Sequence, residues 1–333
     1  MPHRQLRVSR STGALRPADV DGRRGAVTSV GVFDGVHLGH QSILSTNVAR
    51  AHDLGAEATV VTFAEHPKRV LLGRAPRTLT TIEHRLALFA RAGIQHVCVL
   101  KFDEDLRNMS ADTFTETVLE SGLGTRAFVL GFDSKFGRGR AGGPDSLRAR
   151  GHAVEIAEKV VVGHRAVSST AIREAIELGD LAAARAMLGR PVTTYGEVVH
   201  GAALGRRLGF PTANLDLFHE LRPPEGVYAC RAHIVPAPAE SGAPDPRERI
   251  GSHDAVANIG RRPTVDGEAG QPIVEVHLLD FEGDLYGQRV ELEFVARLRD
   301  ERKFPDLDAL RLAISKDVEA ARARLSTSTE EDT

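Results

Sequence analysis

Thr28–Ser42 reads TSVGVFDGVHLGHQS, an apolar run that breaks into a turn and reopens as a helix. Val30, Val32 and Phe33 read as the end of a buried parallel strand, and Gly31 and Gly35 permit close backbone approach. From Gln41 onward the spacing is helical, with Leu44, Val48 and Ala51 on one face. His37 and His40 then sit at or just before the helix start, where unpaired backbone N–H groups favour anions. An imidazole N–H there can be aimed at a triphosphate oxygen, and the helix dipole adds to the attraction. The same residues also fit an ordinary strand-to-helix loop with two surface histidines, so HxGH alone carries modest weight.

Around this stretch the first half of the chain alternates apolar runs with helical patterns. AVTSVGVF precedes the helix, EATVVTF precedes IEHRLALFARAG, HVCVLKF precedes ADTFTETVLESG, and RAFVLGF precedes a loop and DSLRARG. That order predicts a parallel sheet wrapped by helices, a Rossmann-like α/β domain with ligands beyond the carboxyl ends of the strands. His37 and His40 follow one such end, His66 and Pro67 another, and Asp133–Arg140 a third. The loop GFDSKFGRGRAGG, Gly131–Gly143, holds five glycines with Lys135, Arg138 and Arg140 and reads as a flexible cationic strip suited to an anion, or as a solvated surface loop. Further on, VSSTAIREAIELGDL starts with hydroxyls, so Ser168, Ser169 or Thr170 caps a helix. Arg173 falls in its first turn, where a cation is unfavourable to the dipole unless an anion faces it.

The chain has 333 residues, 41% of them hydrophobic, enough for two domains. With 43 basic and 45 acidic side chains the formal charge is −2, and neither a nucleic-acid nor a membrane partner is expected. Residues 1–24 carry arginines without the apolar core of a secretory signal and read as a disordered tail. No apolar run is long enough to span a bilayer, so the expected location is cytoplasmic. Cys98 and Cys230 lie in apolar runs and read as buried strand thiols in a reducing compartment, without a disulfide between them. No CxxC or HExxH spacing supports zinc, so a metal is expected only with a nucleotide.

After LAAARAMLGRP, a short helix stopped by Gly189 and Pro191, the pattern changes. TTYGEVVHG, GVYACRAHIV, DAVANIG, IVEVHLLDF and RVELEFVARLR are short, alternating and β-rich, which predicts a small antiparallel barrel. PDLDALRLAISKDVEAARARL closes it as a helix with an apolar stripe at Leu307, Leu310, Ile314, Ala321 and Leu325. The Pro-, Ala- and charge-rich insert VPAPAESGAPDPRERIGSHD, residues 235–254, reads as a mobile loop, and 327–333 as a disordered tail. The chemical signal in this half is GAALGRRLGFPTANL. Gly201, Gly205 and Gly209 let backbone N–H groups approach phosphate, Arg206 and Arg207 supply charge, and Thr212 and Asn214 set two oxygen ligands on one side of an extended strand, a donor set that suits Mg²⁺. A tight hairpin with turn glycines fits the same segment. Glu275 alternates with Val274 and Val276 and so points away from them; it can serve as a base, or pair with Arg261, Arg262 or Arg299.

GVFDGVHLGHQ, TFAEHP, GFDSKFGRGRAG and VSSTAIR, followed by GRRLGFPTAN, PPEGVYAC, NIGRRPT, VEVHLLDF, DLYG and LRDERKF, resemble in order the bacterial bifunctional riboflavin kinase/FAD synthetases. The resemblance runs over nearly the whole chain and implies a FMN adenylyltransferase domain at 25–186 and a riboflavin kinase domain at 187–326. It implies riboflavin, FMN, FAD and ATP as partners, Mg²⁺ entering with ATP, and a monomer or weak homo-oligomer. By position, His37 and His40 would hold ATP phosphates, Gly31, Phe33 and Asp34 would shape the adenosine pocket, and Ser168, Thr170 and Arg173 would contact phosphate. Asp133 would sit in the flavin and nucleotide crevice. In the kinase half, Gly205 and Arg206 would approach phosphate, Thr212 and Asn214 would bind Mg–ATP, Glu275 would be the general base, and Arg299 and Phe304 would lie near the flavin. Three positions depart from the family pattern: Glu65 for proline, Ser134 for an aromatic and Val265 for phenylalanine. Glu65 and Ser134 motivate one rival, a kinase with an impaired adenylyltransferase half, whereas Val265 bears on packing near the flavin in the kinase half; a non-catalytic flavin-sensing regulator is another rival.

Overall fold

The structure, a computed structural model, describes residues 6–11, 25–200, 205, 208–218, 220–235, 249–263 and 269–331. Arg206, Arg207, Gly201, Val265 and residues 236–248 of the insert lie outside them. Contacts divide the chain into two compact units, with the division between Ser169 and Thr170.

In the first unit the elements follow one another as β1 (Arg7–Ser11), β2 (Ala26–Val30), α1 (Leu38–Asp53), β3 (Glu57–Phe63), α2 (Lys68–Leu72), α3 (Ile82–Arg91), β4 (His96–Leu100), α4 (Glu104–Asn108) and α5 (Ala111–Phe114). A π-helical stretch (Thr115–Gly122) extends α5, and β5 (Thr125–Gly131), α6 (Pro144–Ala149), β6 (Ala153–Ala157) and the hairpin β7 (Val161–Val162) with β8 (Arg165–Ala166) complete the unit. Six strands form one sheet in the order β1-β4-β3-β2-β5-β6, parallel at every pairing. Every residue of β2 and β4 is buried, as expected when helices cover both faces of a parallel sheet. One layer of core holds Leu44, Ala51, Phe89 and Val97; the other holds Leu100, Phe114, Leu119 and Phe128. From β2 the chain moves outward through β3 to β4, then returns to add β5 on the other side of β2. The strand order therefore reverses between β2 and β5, which puts a ligand crevice beyond their carboxyl ends.

One expectation is corrected here. Part of the 1–24 tail is an edge strand: Arg7–Ser11 pairs in parallel with β4. Its side chains explain why, since Arg7 forms an ion pair with Glu57 and the Ser9 hydroxyl hydrogen-bonds His96 Nε2 at 2.9 Å.

The second unit begins within α7 (Ser169–Glu177) and continues through α8 (Leu181–Leu188), β9 (Val192–Val199), β10 (Ala213–Asp216), β11 (Gly226–Val235), β12 (Gly251–Pro263), β13 (Ala269–Leu278), β14 (Arg289–Arg299) and α9 (Leu307–Glu331). The six strands close into an antiparallel barrel, β10-β13-β12-β11-β14-β9. Tyr228, Cys230, Ala257, Val276 and Phe294 are buried within it, while Val227, Ala229 and Val256 pack with Ala321 and Leu325 of α9.

The α9 stripe is shifted from the expected one. Of the expected stripe Ala321 and Leu325 are buried and Leu310 and Ile314 half-buried, but Leu307 is 52% exposed, and Ala313 and Asp317 complete a buried row of residues four apart. The helix also continues to Glu331, through most of the expected 327–333 tail. The Ser326 and Thr327 hydroxyls donate to carbonyls one turn back, at 3.1 Å to Ala323 and 2.9 Å to Arg324, so the polar run stays helical. Among the described residues no helix is long and apolar enough to cross a membrane.

Candidate functional sites

Two constellations follow, one in each unit. In the first, β2 ends in a turn that most side chains resist. Phe33 and Val36 hold φ of 54° and 39°, left-handed values that cost a non-glycine residue roughly 1–3 kcal/mol each. Both are buried, at 3% and 2% exposure. Gly35 lies between them at φ 83°, where an added Cβ would meet Leu79 Cδ1 at 2.6 Å. Gly31, before the turn, keeps the space taken by the Phe33 ring.

The turn delivers His37 as the N-cap of α1. Its Nδ1 accepts the His40 backbone N–H at 3.3 Å, so the proton of the neutral ring resides on Nε2. The His37 and His40 rings stack at 3.6 Å with planes 16° apart, and Phe33 meets His40 edge-on at 5.1 Å. Phe33, His37 and His40 are thus one packed group at the N-terminus of a 16-residue helix.

Asp34 does something other than face an open pocket. Its buried carboxylate accepts from Leu79 N (2.9 and 3.1 Å), Thr80 N (3.0 Å) and Thr80 Oγ1 (3.2 Å). Its backbone carbonyl accepts from the Ser169 hydroxyl at 2.9 Å. Ser169, the hydroxyl of the Ser168–Thr170 run not singled out for phosphate, is thus bonded to the histidine turn. Thr170 is exposed and Arg173 half-buried, both beyond the division and grouped with the second unit.

The glycine-rich loop is not a loose strip. Phe136 and Gly142 exchange two backbone hydrogen bonds of 3.1 and 2.9 Å, and Phe136 is buried in the core. Lys135, Arg138 and Arg140 remain exposed on this closed loop, as does Asp133. Ser134 spends its hydroxyl accepting Gly131 N–H at 3.0 Å. Glu65 is exposed and pairs with Arg69 one turn on, at 3.3 Å, while His66 Nδ1 accepts Lys68 N–H.

In the second unit, barrel register assembles the other group. Asn214 of β10 lies directly across from Glu275 of β13, and Glu275 directly across from Asn258 of β12. Paired residues share a face, so the three form a polar row; Val274 and Val276 point the other way into the core. Asn214 is 6% exposed and Glu275 half-buried. Asn258 hydrogen-bonds the Glu301 carboxylate, and partial burial pushes that carboxyl above the ordinary glutamate range, with the charges of Glu225 and Glu275 adding to the rise. Of the arginines considered for Glu275, Arg261 pairs with Glu225, and Arg299 with Asp317 through two bonds of 2.8 and 2.7 Å. Phe304 lies under the Arg299 guanidinium at 5.5 Å, so Arg299 joins α9, β14 and Phe304.

Thr212 lines a cavity of about 80 Å³ with Pro211, Ala213, Val276, Leu278, Phe281, Asp284 and Tyr286. An added Cβ on Gly205 would lie 3.0 Å from Thr212 Oγ1, so the glycine backbone approaches the threonine closely. Among the described residues no three His, Cys, Asp or Glu side chains cluster as a metal site. The oxygens of Thr212 and Asn214, with Glu275 across the strand pair, are a hard but sparse donor set. It fits Mg²⁺ whose remaining positions are filled by phosphate and water. Sequence reasoning did not single out Asn258, Glu301, Thr80 or Arg85, and offered Ser169 only as a helix cap. Asn258 sits in the quoted stretch NIGRRPT, Glu301 in LRDERKF and Arg85 in IEHRLALFARAG, while Thr80 carries no local signal.

A family model for FAD synthetase matches residues 20–171, and one for riboflavin kinase matches residues 188–325. The bifunctional riboflavin kinase/FMN adenylyltransferase of Haemophilus influenzae is 37% identical over 305 residues, 90% of this chain and 94% of that one. That of Pseudomonas fluorescens is 38% identical over 96% of this chain and 97% of its own, and that of Bacillus subtilis 34% identical over 89% and 91%. A crystal structure described as a macrolide-efflux protein from Streptococcus pneumoniae superposes with a TM-score of 0.78 at 30% identity, covering 95% of this chain and 99% of that one.

Proposed function

This chain belongs to the bifunctional riboflavin kinase/FMN adenylyltransferases, which make FMN and then FAD, and from that premise we propose how its own residues divide the work. Adenylyl transfer is assigned to residues 25–186 and phosphorylation to residues 187–326. The observation that carries this assignment is the separation of two polar constellations, the stacked histidine pair and the Asn214–Glu275–Asn258 row, onto two compact units.

At the histidine turn, a phosphate oxygen of FMN attacks the α-phosphorus of ATP, the bond to the β-phosphate oxygen breaks, and pyrophosphate leaves. No side-chain nucleophile is required, so the contribution is positioning and charge neutralisation. His37 donates from Nε2 and His40 acts beside it, with α1 aiming its first N–H groups at the same oxygens. Ser168, Thr170 and Arg173 are assigned to phosphate, Asp133 to the flavin side of the crevice, and Gly31, Phe33 and Asp34 to the shape of the nucleotide site, Asp34 through the loop it holds.

In the barrel, Glu275 takes the proton of the riboflavin 5′-hydroxyl as that oxygen attacks the γ-phosphorus and ADP leaves. Thr212 and Asn214 hold the phosphate end, and Gly205 and Arg206 are likewise assigned to phosphate. Mg²⁺ bound by Thr212 and Asn214 would neutralise phosphate oxygens there. Arg299 and Phe304 border the flavin.

Against the reading in which the adenylyltransferase half is impaired stands the likeness of the whole chain to bifunctional relatives; of the positions that motivated it, Glu65 pairs with Arg69 at the surface and the Ser134 hydroxyl caps its own turn. Two buried cysteines fit a reducing compartment, the cytoplasm, and no nucleic acid or membrane enters the reaction. A monomer or weak homo-oligomer fits a stacked histidine pair that lies in one unit and an Asn214–Glu275–Asn258 row that lies in the other. The test is a time course of FMN and FAD from riboflavin, ATP and Mg²⁺. Both products should form in turn; FMN without FAD would reject the working transferase, and flavin binding without ATP consumption would make the chain a sensor.

A further inference from the structure

The strained turn Phe33–Val36 must be held by something, and the holding groups come from one distant segment. Arg85, 3% exposed on α3, donates through Nη1 to Val32 O at 2.7 Å and Thr62 Oγ1 at 3.2 Å, and through Nη2 to Phe63 O at 3.1 Å. Its guanidinium thereby ties together the carbonyl ends of β2 and β3, immediately before the left-handed residue Phe33. After Phe33, the Asp34 carboxylate takes the N–H groups of Leu79 and Thr80. The Thr80 hydroxyl stands between two members of the turn, donating to Asp34 at 3.2 Å and accepting Gly35 N–H at 2.9 Å. Leu79 closes the space over Gly35. Beyond the turn, Gln41 Nε2 donates to Val36 O at 2.9 Å, linking it to the helix that carries both histidines.

We infer that Thr80 and Arg85 are positioning residues for adenylyl transfer: the segment Leu79–Arg85 clamps the left-handed turn on both sides of Phe33 and thereby fixes where His37 and His40 present their ring N–H groups. Neither residue touches substrate. Strained backbone at a functional site persists only where its surroundings over-determine it; this clamp supplies hydrogen bonds before and within the strained residues, and Gln41 adds the one after them. A histidine pair displaced by about 1 Å loses on the order of 100-fold in rate, so small errors in the turn are large in turnover.

The inference rests on the histidine turn being the transferase site, and the experiment separates the two. Thr80→Val keeps volume and loses the hydroxyl; Thr80→Ser keeps the hydroxyl and loses a methyl group. FAD formation from FMN and FMN formation from riboflavin are measured on the same preparations, beside His37→Ala. Expected are a fall of about tenfold or more in transferase kcat with Thr80→Val, activity within about threefold of wild type with Thr80→Ser, a loss with Arg85→Met only partly restored by Arg85→Lys, and unchanged kinase turnover throughout. Wild-type transfer by Thr80→Val, or equal losses by Val and Ser, overturns the clamp while a defective His37→Ala leaves the site assignment standing. Full transfer by His37→Ala would remove the site itself.

Discussion

Gly205→Ala is the sharpest perturbation for the kinase half. An alanine Cβ at this position would lie 2.3 Å from the Phe210 carbonyl oxygen and 3.0 and 3.1 Å from Thr212 Oγ1 and Cγ2, where ordinary contact begins at 3.4 Å. The Phe210 oxygen belongs to the backbone and cannot rotate aside, and Phe210 N–H donates to Gly205 O at 2.8 Å, so the two residues cannot separate without breaking that bond. Relief therefore requires a backbone shift of about 1 Å at the stretch leading into Thr212 and Asn214. A misplacement of about 1 Å costs on the order of 100-fold, about 2.7 kcal/mol in the transition-state barrier. Gly209→Ala is the comparison: φ there is 88° but nothing lies within 4 Å of the added Cβ, so it carries backbone strain of roughly 1–2 kcal/mol without a collision. Measured as kcat/KM for FMN formation from riboflavin, Gly205→Ala should fall about 100-fold and Gly209→Ala by less than about tenfold, with FMN-to-FAD conversion by the same samples unchanged. Kinase activity of Gly205→Ala within about threefold of wild type would refute the close-approach argument, and equal loss of both activities would show unfolding instead.

Glu275→Gln should depress FMN formation by about 100-fold or more and leave FAD formation from FMN nearly intact, because general-base assistance is lost while the barrel keeps a hydrogen-bonding side chain of the same size. Asp317→Ala strips Arg299 of its bidentate partner at a site where the two side chains are only 23% and 10% exposed, and should cost about 2 kcal/mol in urea unfolding. The hydrogen bond from Arg322 holds the exposed Asp280 carboxyl below the ordinary aspartate range. Its contribution to stability is therefore present above the unfolded-state value of about 3.9 and lost as pH falls below it; the melting-temperature difference between wild type and Asp280→Asn should shrink toward zero in acid. Burial pushes the Cys230 thiol well up and Cys98 is fully buried, so a thiol reagent at pH 8 should detect neither of the 2 cysteines until the protein is unfolded.

What periodicity could read, it read well, and the reason is physical. β2, β3 and β4 are continuous apolar runs because both faces of their sheet are covered, and β13 alternates because one face is core and the other carries Glu275. β1 escaped because RVSRS looks like a polar tail; what makes it a strand is the exposed edge of β4 together with Glu57 and His96, residues far along the chain. Leu307 was misplaced on α9 for a similar reason, since its helical phase is acceptable but the barrel wall begins only near Ala313.

The sites divide along the same line. His37, His40, Asn214 and Glu275 belong to short motifs whose spacing already implies a shared face or a helix start, and register then brings Asn214 and Glu275 together across 61 positions of sequence. Asp34 illustrates the opposite case. As a residue of the motif it invites a role at the ligand, yet its carboxylate accepts from Leu79 and Thr80, separated from it by 45 and 46 positions. A carboxylate that receives two backbone N–H groups and a hydroxyl is committed to shaping its loop. Replacing it with asparagine would leave an amide facing backbone donors and should therefore reproduce the transferase defect of Thr80→Val without altering the kinase. An Asp34→Asn protein that binds FMN and ATP poorly but turns over normally at saturation would instead return the side chain to the substrate pocket.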